Sequence, residues 1–430
     1  MFETVFYLVI PKFQLDKLKF KGHTISMKPR TISKLIHKVI KTFPAIVLTG
    51  PRQSGKTTLL KHEFPNYQYA SLEDPDVRIR AKDDPNGFLN QFEKQVILDE
   101  IQYVPELLSY IKSKIDENRM PGKWILSGSQ NFSLMKNVSQ SLAGRAAILT
   151  LLPFSVAERI GNGNGSLLVD KVLSLSSESN LKSKFDLNEI ILRGNYPEVA
   201  SNTKVDRQIW DGSYINTYLE RDIRNLKQVG DLGQFEIFLR ACAIRTGQIL
   251  DLSSISREIG ITFTTAKRWL SLLETGYQIF LLHPYYRNIG KRLVKRPKIY
   301  FADTGLATYL MGINSVNSLV SSYLYGAIFE TLIVTDFWKR YFHHGQIPQM
   351  YFLRTHDDLE VDLLIENQNK LNLIEVKLTS TVRKENIQSL IKARTDIRGV
   401  DKTLVISNTK EKFSVVEGIT NIPAESVLTV

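Results

Sequence analysis

The sequence has a single cysteine, Cys242, and no hydrophobic run long enough to cross a bilayer. One cysteine cannot form an internal disulfide, which excludes a small disulfide-stapled secreted domain. Cys242 lies in an apolar segment, where a thiol is more often a small buried residue than a nucleophile. The first ten residues are apolar, but Pro11 and Lys12 interrupt them and no signal-peptide pattern follows. We therefore expect a cytoplasmic protein without a membrane partner, in which residues 1–27 are an appendage.

Acidic residues are too few to balance the basic ones. The chain has 56 Lys and Arg residues against 44 Asp and Glu residues, for a net charge of +12. This surplus suits a polyanionic partner such as nucleic acid, although charge alone identifies none. With 430 residues, of which 43% are hydrophobic, the chain is long enough for several globular domains and too apolar for a wholly disordered protein.

Short apolar runs alternate with helical stretches over residues 28–158, which predicts a doubly wound α/β domain with a parallel sheet. The predicted strands are 45–48, 67–70, 95–98, 123–126 and 147–152, and the predicted helices follow Lys56 and span 104–117 and 132–142. Segments rich in Gly, Asn and Ser indicate a flexible linker at 159–185. Downstream we expect a helical lid or connector at 186–249, a winged helix at 250–310, and a mixed α/β domain at 311–430 with strands at 349–354, 360–366 and 371–377.

A phosphate-binding loop is predicted where the first strand meets the first helix. Residues 50–57, GPRQSGKT, match the pattern GxxxxGK[ST] in the strand–helix context that this motif requires. Its glycines let backbone N–H groups point at phosphates beside a helix N-terminus. We expect Lys56 to reach the β- and γ-phosphates of ATP, and Thr57 to bind Mg²⁺. The predicted nucleotide-binding residues are Gly50, Pro51, Arg52, Gln53, Ser54, Gly55, Lys56, Thr57, Thr58 and Asp99.

The hydrolytic half of the site is predicted at the ends of two further strands. An apolar run ends in Asp99 and Glu100, which would hold Mg²⁺ and polarise the attacking water, respectively. Ser127 ends the next strand and is the predicted sensor of the γ-phosphate, with Ser129 behind it. Arg145 has two open interpretations, an arginine finger or an ordinary surface arginine.

The chain resembles the AAA-type ATPases of archaea and bacteria that carry a C-terminal domain of unknown function. In the first part of the chain, the resemblance rests on GPRQSGKTTLL, LEDPDVR, VILDEIQYVPELL, WILSGSQ and LAGR. It continues through RGNYPEVA, YLERDI, YFADTGL, LYGAIFE, EVDLLI and IEVK, and so covers nearly everything after residue 27. The resemblance implies an ATP-dependent P-loop enzyme.

Residues 252–260 and 264–274 read as a helix-turn-helix, followed by a hairpin with a basic tip. This layout predicts a winged helix that binds DNA through phosphates. The predicted nucleic-acid-binding residues are Lys267, Arg268, Lys291, Arg292, Lys295 and Arg296, and Lys298 adds a further cation to the wing. The alternatives are a winged helix used for protein contacts, or a solvated charged hairpin.

Near the C-terminus, a strand places Glu375 and Lys377 two residues apart, and hence on one face. Asp362 lies in a second strand, and Glu330 lies on a helix. Together the three segments resemble the core of PD-(D/E)xK nucleases. Asp362 and Glu375 would then hold a divalent metal, Lys377 would position or activate water, and Glu330 would add a metal contact or orient that water. The alternative is a set of strand-end acids paired with a structural lysine.

Two functions of different classes follow. The first is an ATP-hydrolysing enzyme that binds DNA and cleaves it with Mg²⁺ at Glu330, Asp362, Glu375 and Lys377. The second is a nucleotide-gated regulator that binds DNA or protein and uses its nuclease-like domain only as a scaffold. Both require ATP, and an oligomer is compatible with either.

Overall fold

A computed structural model describes residues 27–129, 141–163, 186–218, 231–286, 295–354, 359–367 and 369–430. Within this part of the chain no helix has both the length and the apolar character needed to span a membrane. The predicted appendage, most of the predicted linker and nearly all of the helix predicted over 132–142 lie outside the described residues.

The first unit is built on a five-stranded parallel sheet with the strand order β2-β3-β4-β1-β5. Its strands are β1 Ala45–Thr49, β2 Gln68–Ser71, β3 Val96–Asp99, β4 Trp124–Ser127 and β5 Ala146–Thr150. The helices of this unit are Ile32–Val39, Lys56–Glu63, Pro75–Asp83, Pro85–Asn90, Leu107–Glu117 and Val156–Arg159, with a 3₁₀ turn at Ile101–Tyr103. The central strands β1, β3 and β4 are buried along their whole length, as expected for a parallel sheet covered on both faces. The predicted doubly wound domain is thereby confirmed.

The second unit combines helices with a small antiparallel sheet. Its helices are Leu187–Arg193, Pro197–Ser201, Arg207–Thr217, Leu232–Ile244, Leu252–Glu258, Phe263–Thr275, Thr304–Leu310 and Val316–Val320. Strands β6 Gln248–Ile249, β7 Ile279–Leu282 and β8 Lys298–Phe301 form a sheet in the order β6-β8-β7. Because β6 pairs with β8, the division expected at residues 249/250 runs through this sheet. The helix pair 252–258 and 263–275 and the β7–β8 hairpin lie where the sequence predicts them.

The third unit has a six-stranded mixed sheet with the order β13-β14-β12-β11-β10-β9. The strands are β9 Met350–Arg354, β10 Glu360–Asn367, β11 Lys370–Lys377, β12 Val400–Ser407, β13 Phe413–Val416 and β14 Ile419–Pro423. One face packs against the long helix Tyr325–His343 and the other against the helix Gln388–Asp396. The remaining elements are a 3₁₀ turn at Lys384–Ile387 and the helix Ala424–Leu428. The three strands that the sequence predicts here match β9, β10 and β11.

A buried ionic cluster, the Glu158 cluster, joins the first and third units. Glu158 Oε1 lies 3.3 Å from Arg30 Nε, and its Oε2 lies 3.2 Å from Nδ1 of His343 at the end of the long helix. Arg30 also donates to the carbonyl oxygens of Ser54 in the phosphate loop and of Leu152. Glu158 and its two ionic partners are almost completely shielded from solvent. Since one buried carboxylate contacts groups from both units, the two units hold each other in place.

We predict that Glu158→Gln destabilises the chain by about 3–5 kcal/mol, because it leaves the guanidinium of Arg30 buried without its counter-ion. The difference in the free energy of unfolding between the parent and Glu158→Gln is measured by urea unfolding. Glu117→Gln is the matched control, since Glu117 faces Lys114 at 3.9 Å on the surface and should contribute less than about 1 kcal/mol.

The same pair has a defined pH dependence. Burial alone would raise the pKa of Glu158, but Arg30 and His343 outweigh it and hold this pKa well below its ordinary value of 4.5. The pair therefore stabilises fully above about pH 4.5, and its contribution is lost as the pH falls toward the folded-state pKa. The stability difference between the parent and Glu158→Gln should shrink on acidification, and a difference that stays constant down to about pH 3 would contradict this assignment.

Candidate functional site: a phosphate loop and an acid cluster

The phosphate loop connects β1 to the helix Lys56–Glu63 at the carboxyl edge of the parallel sheet. Gly50 has a φ of +143°, and a Cβ there would lie 2.1 Å from the carbonyl oxygen of Leu151, so only glycine fits. Gly55 has a φ of +93° and starts the helix. Lys56 Nζ donates to the carbonyl oxygens of Gly50 and Pro51 at 2.9 and 2.8 Å. The loop thus curls around the lysine ammonium at a helix N-terminus, where anions are stabilised.

The acidic end of β3 lies beside this loop, as predicted. Thr57 Oγ1 donates to Asp99 Oδ2 at 2.7 Å, and Ser127 Oγ donates to Asp99 Oδ1. Tyr69 on β2, which sequence reasoning missed, also donates to Asp99 Oδ2, at 2.9 Å. Hydroxyl and carboxylate oxygens suit Mg²⁺, so Thr57 and Asp99 fit the metal that a P-loop enzyme uses.

Ser127 and Glu100 have different surroundings from those expected. Ser127 is completely buried and donates its hydroxyl to Asp99, and its role as a sensor of the γ-phosphate stays a prediction. Glu100 has a φ of +56°, lines the cavity described next, and accepts a hydrogen bond from Nε2 of Gln102. The same Gln102 atom donates to Ser129 Oγ at 3.0 Å. Glu100 is therefore close to the phosphate loop but held by a neighbouring amide.

A cavity of about 720 Å³, the phosphate cavity, opens beside the loop and lies between the first two units. Of the predicted nucleotide-binding residues, Arg52, Gln53, Gly55, Lys56, Thr57 and Thr58 line it. The second unit contributes Pro197, Glu198, Ser201, Asn202, Tyr214, Thr217 and Tyr218 to its wall. A ligand in this cavity would contact both units at once.

Arg145 lies away from the phosphate cavity. It precedes β5, which runs parallel to β1, so it lies at the amino edge of the sheet while the phosphate loop lies at the carboxyl edge. Five strand residues separate the two edges by about 16 Å. Arg145 instead pairs with Asp116, with Nε 2.6 Å from Oδ1. Arg145 therefore lies far from the phosphate loop of its own chain, and the arginine-finger interpretation stays a prediction.

In the third unit, the structure brings together the predicted Glu330, Asp362, Glu375 and Lys377. Glu330, Asp362 and Lys377 line an open cavity of about 500 Å³. Lys377 Nζ lies 2.6 Å from Glu375 Oε1, and Asp362 Oδ2 accepts from the backbone N–H of Val376 at 2.9 Å. We call Glu330, Glu360, Asp362 and Glu375 the acid cluster.

Burial and mutual repulsion dominate the electrostatics of the acid cluster. Burial, followed by the charge of Asp362, raises the pKa of Glu330 to about 7 and that of Glu375 to about 8. Glu375 Oε2 is buried without a hydrogen-bond partner. In the described part of the chain, however, no group of three or more His, Cys, Asp or Glu side chains is preformed to hold a metal ion. Glu375 Oε2 is thus a buried oxygen without a partner, beside the pair that Oε1 forms with Lys377.

The wing cations divide into three groups. Lys267 and Arg268 are exposed on the helix Phe263–Thr275, and Lys295 and Arg296 are exposed before β8. Arg296 pairs with Asp251, and Lys291 and Arg292 lie outside the described residues. Lys298 is only 2% exposed and points into the acid cluster. Counting Lys298 as a surface cation of the wing is therefore wrong, because it faces inward from its strand.

Comparison with known proteins agrees with the geometry of the first unit. Residues 42–160 match the AAA domain family, and two domains of unknown function match the rest, DUF8612 at 184–317 and DUF4143 at 325–427. Together with the parallel sheet and the phosphate loop, the first match places an AAA-type ATPase domain in this chain.

Two curated relatives match most of the chain. Uncharacterized proteins of Mycobacterium bovis (Mb2031c) and Mycobacterium tuberculosis (Rv2008c) are 27% identical over 404 residues, 93% of this chain and 84% of theirs. Among solved structures, the Walker-type ATPase PABY2304 of Pyrococcus abyssi is 16% identical and aligns over 67% of this chain and 99% of its own, with a TM-score of 0.41. RuvB of Thermotoga maritima is 16% identical over 58% of this chain and 88% of its own, with a TM-score of 0.29.

Proposed function

We propose that the protein binds and hydrolyses MgATP in the phosphate cavity and uses the nucleotide to control a DNA-binding winged helix. The proposed ATPase activity rests on one observation, the hydrogen bond of 2.7 Å from Thr57 Oγ1 to Asp99 Oδ2. Thr57 lines the phosphate cavity next to Lys56. In the proposed site, Lys56 and the loop N–H groups bind the β- and γ-phosphates. Thr57 and Asp99 hold Mg²⁺, which screens the phosphate charge when bound.

Glu100 is the proposed general base, because it is the carboxylate that borders the cavity next to the loop. To contact an attacking water, the carboxylate of Glu100 has to break its hydrogen bond with the amide of Gln102. Ser127 and Tyr69 keep Asp99 oriented through their hydroxyls. The helices around Pro197 and Tyr214 close the far wall, so the second unit can sense whether the cavity is filled.

The proposed DNA surface is the exposed side of the helix Phe263–Thr275 with the hairpin beside it. Phe263 is 51% exposed at the start of this helix, and Lys267 and Arg268 project one turn further on. Cations in this arrangement suit phosphates, while the ring offers an apolar contact to a groove. Cations paired with protein carboxylates, such as Arg296, are less available to DNA.

A second candidate function, DNA cleavage at the acid cluster, is favoured by one specific observation. Three separate segments bring Glu330, Asp362 and Lys377 to one cavity wall. Glu375 pairs with Lys377 at 2.6 Å, and its Oε2 is left without a partner. Asp362 and Glu375 would hold a divalent metal, which would supply Lewis-acid stabilisation of a phosphate. Lys377 would position water beside the phosphodiester. The competing interpretation, a non-cleaving scaffold that serves a DNA- or protein-binding regulator, is an outcome of the test below.

For the ATPase, we predict that Lys56→Ala abolishes nucleotide binding, since the β,γ-phosphates lose their main cation. Glu100→Gln should still bind ATP but hydrolyse it at least about a hundredfold more slowly, the usual cost of removing a general base. Titration with a fluorescent ATP analogue and phosphate release measure the two steps. Glu106→Gln, an exposed glutamate nearby, is the control. Turnover of Glu100→Gln at the parent rate would show that another group is the base.

For DNA binding, we predict that Lys267→Ser with Arg268→Ser weakens affinity and reduces the slope of log K against log[salt] by about 0.9 for each phosphate that is no longer neutralised. Anisotropy with a labelled duplex measures the slope. The control removes two exposed lysines elsewhere, Lys112 and Lys392, and so changes the net charge equally. If both double variants shift the slope alike, the helix is not the DNA surface and the protein-contact alternative is favoured.

For cleavage, we predict that Asp362→Asn abolishes cutting of DNA in Mg²⁺ or Mn²⁺ while ATP hydrolysis stays at the parent rate. Supercoiled, linear and branched DNA are incubated with and without ATP and resolved on gels. Asp401→Asn, a partly exposed carboxylate of the same sheet, is the control. A parent protein that leaves every DNA form intact would establish the scaffold interpretation.

A further inference from the structure

Strand β8 contributes to two cores at once. Its residues alternate, so Ile299 and Phe301 pack into the hydrophobic core of the second unit, while Lys298 and Tyr300 face the third unit. Tyr300 is fully buried and donates its hydroxyl to Glu330 Oε1 at 2.5 Å. The inward face of a hairpin strand thus supplies polar groups to the acid cluster.

Lys298 Nζ is surrounded by carboxylates. It lies 2.7 Å from Glu360 Oε1, 3.2 Å from Glu330 Oε1 and 3.5 Å from Asp362 Oδ1. An ammonium has three N–H donors, and here three acceptors from a helix and a strand surround it. Three carboxyl oxygens within 3.5 Å of one ammonium, which is only 2% exposed, hold Lys298 in this position.

The acid cluster has two ends that differ in how their carboxyl oxygens are paired. Its four carboxylates face two ammonium groups, Lys298 at one end and Lys377 at the other. The unsatisfied oxygen, Glu375 Oε2, lies at the Lys377 end. Asp362 belongs to both ends, because Oδ1 faces Lys298 while Oδ2 faces the backbone of Val376. The cluster therefore has one cation position that is filled by the protein itself and, at the Lys377 end, one buried carboxyl oxygen without a hydrogen-bond partner.

We propose that Lys298 is a built-in cation of the acid cluster: it fills a cation position between Glu330, Glu360 and Asp362, and a divalent cation enters that position only when the ammonium is removed. This proposal does not depend on cleavage, since it concerns which cation the carboxylates hold.

The test counts Mn²⁺ bound by the full chain without nucleotide, by equilibrium dialysis and by the electron paramagnetic resonance signal of free Mn²⁺. We expect Lys298→Met to bind one more Mn²⁺ per chain than the parent. Lys295→Met, an exposed lysine three positions away, should bind the same number as the parent. Any Mn²⁺ held near Asp99 is common to all three proteins and cancels. A folded Lys298→Met protein that binds no additional Mn²⁺ would overturn the proposal.

Removing the ammonium leaves carboxylates facing one another, so Lys298→Met is purified with Mn²⁺ present. Its melting temperature should then fall on removal of Mn²⁺ by more than that of the parent. A Lys298→Met chain that stays unfolded in Mn²⁺ would also overturn the proposal, because a divalent cation would then have failed to replace the ammonium. The triple variant Lys298→Met, Glu330→Gln, Glu360→Gln loses the excess charge and should fold without gaining a Mn²⁺. A gain in this variant would place the additional ion elsewhere and refute the assignment.

Discussion

The burial of Glu158 is the constraint on which the arrangement of the units depends. Burying a carboxylate costs free energy unless it has a counter-ion and hydrogen-bond donors. Glu158 has both, a guanidinium and an imidazole within 3.3 Å and a backbone N–H at 2.7 Å. Arg30 and Thr31 belong to the first unit, like Glu158 itself, and His343 is the partner that the third unit supplies, so the full set of partners exists only when the two units are docked. Docking of the third unit therefore completes the set of partners that Arg30 begins.

Arg30 extends this constraint to the phosphate loop. Its Nη1 donates to the carbonyl oxygen of Ser54 at 3.0 Å, so a shift of the loop backbone either moves the guanidinium or breaks this bond. His343, at the other side of Glu158, ends the helix that carries Glu330 thirteen residues earlier. At 1.5 Å per residue, this helix spans about 20 Å between the two positions. The phosphate loop and the acid cluster are thus connected through one ionic cluster and one rigid helix.

Local pattern predicted much of both sites. The phosphate loop needs only its own spacing and the strand and helix around it, and Asp99 follows from the apolar strand that it ends. Glu375 and Lys377 share a face because strand side chains alternate. Ser127 and Arg145 could not be assigned in the same way, because their roles depend on which edge of the sheet they occupy and on what neighbouring strands present.

The Glu158 cluster and the position of Lys298 are set by tertiary contacts. Arg30, Glu158 and His343 are far apart in sequence, and none of them belongs to a recognisable motif. Lys298 points inward because the two faces of strand β8 pack against different units. The sequence of β8 alone does not reveal which face packs against which unit. Because Lys298 follows Lys295 and Arg296 in the sequence, the sequence predicts it as part of the same basic surface.

These contacts also determine how far the net charge can be used to infer a partner. In the described part of the chain, seven Lys or Arg side chains and seven Asp or Glu side chains are buried: Arg30, Lys56, Arg159, Arg207, Lys298, Lys339 and Arg340, against Asp99, Glu158, Asp211, Asp303, Asp336, Asp362 and Glu375. By formal count the buried basic and acidic residues are equal in number, so the buried residues of the described part account for none of the formal surplus of +12. The surplus is carried by the rest of the chain, where it can attract a polyanion through long-range forces that salt screens. The position of Lys298 thus removes one cation from the proposed DNA surface without weakening the electrostatic case for a polyanionic partner.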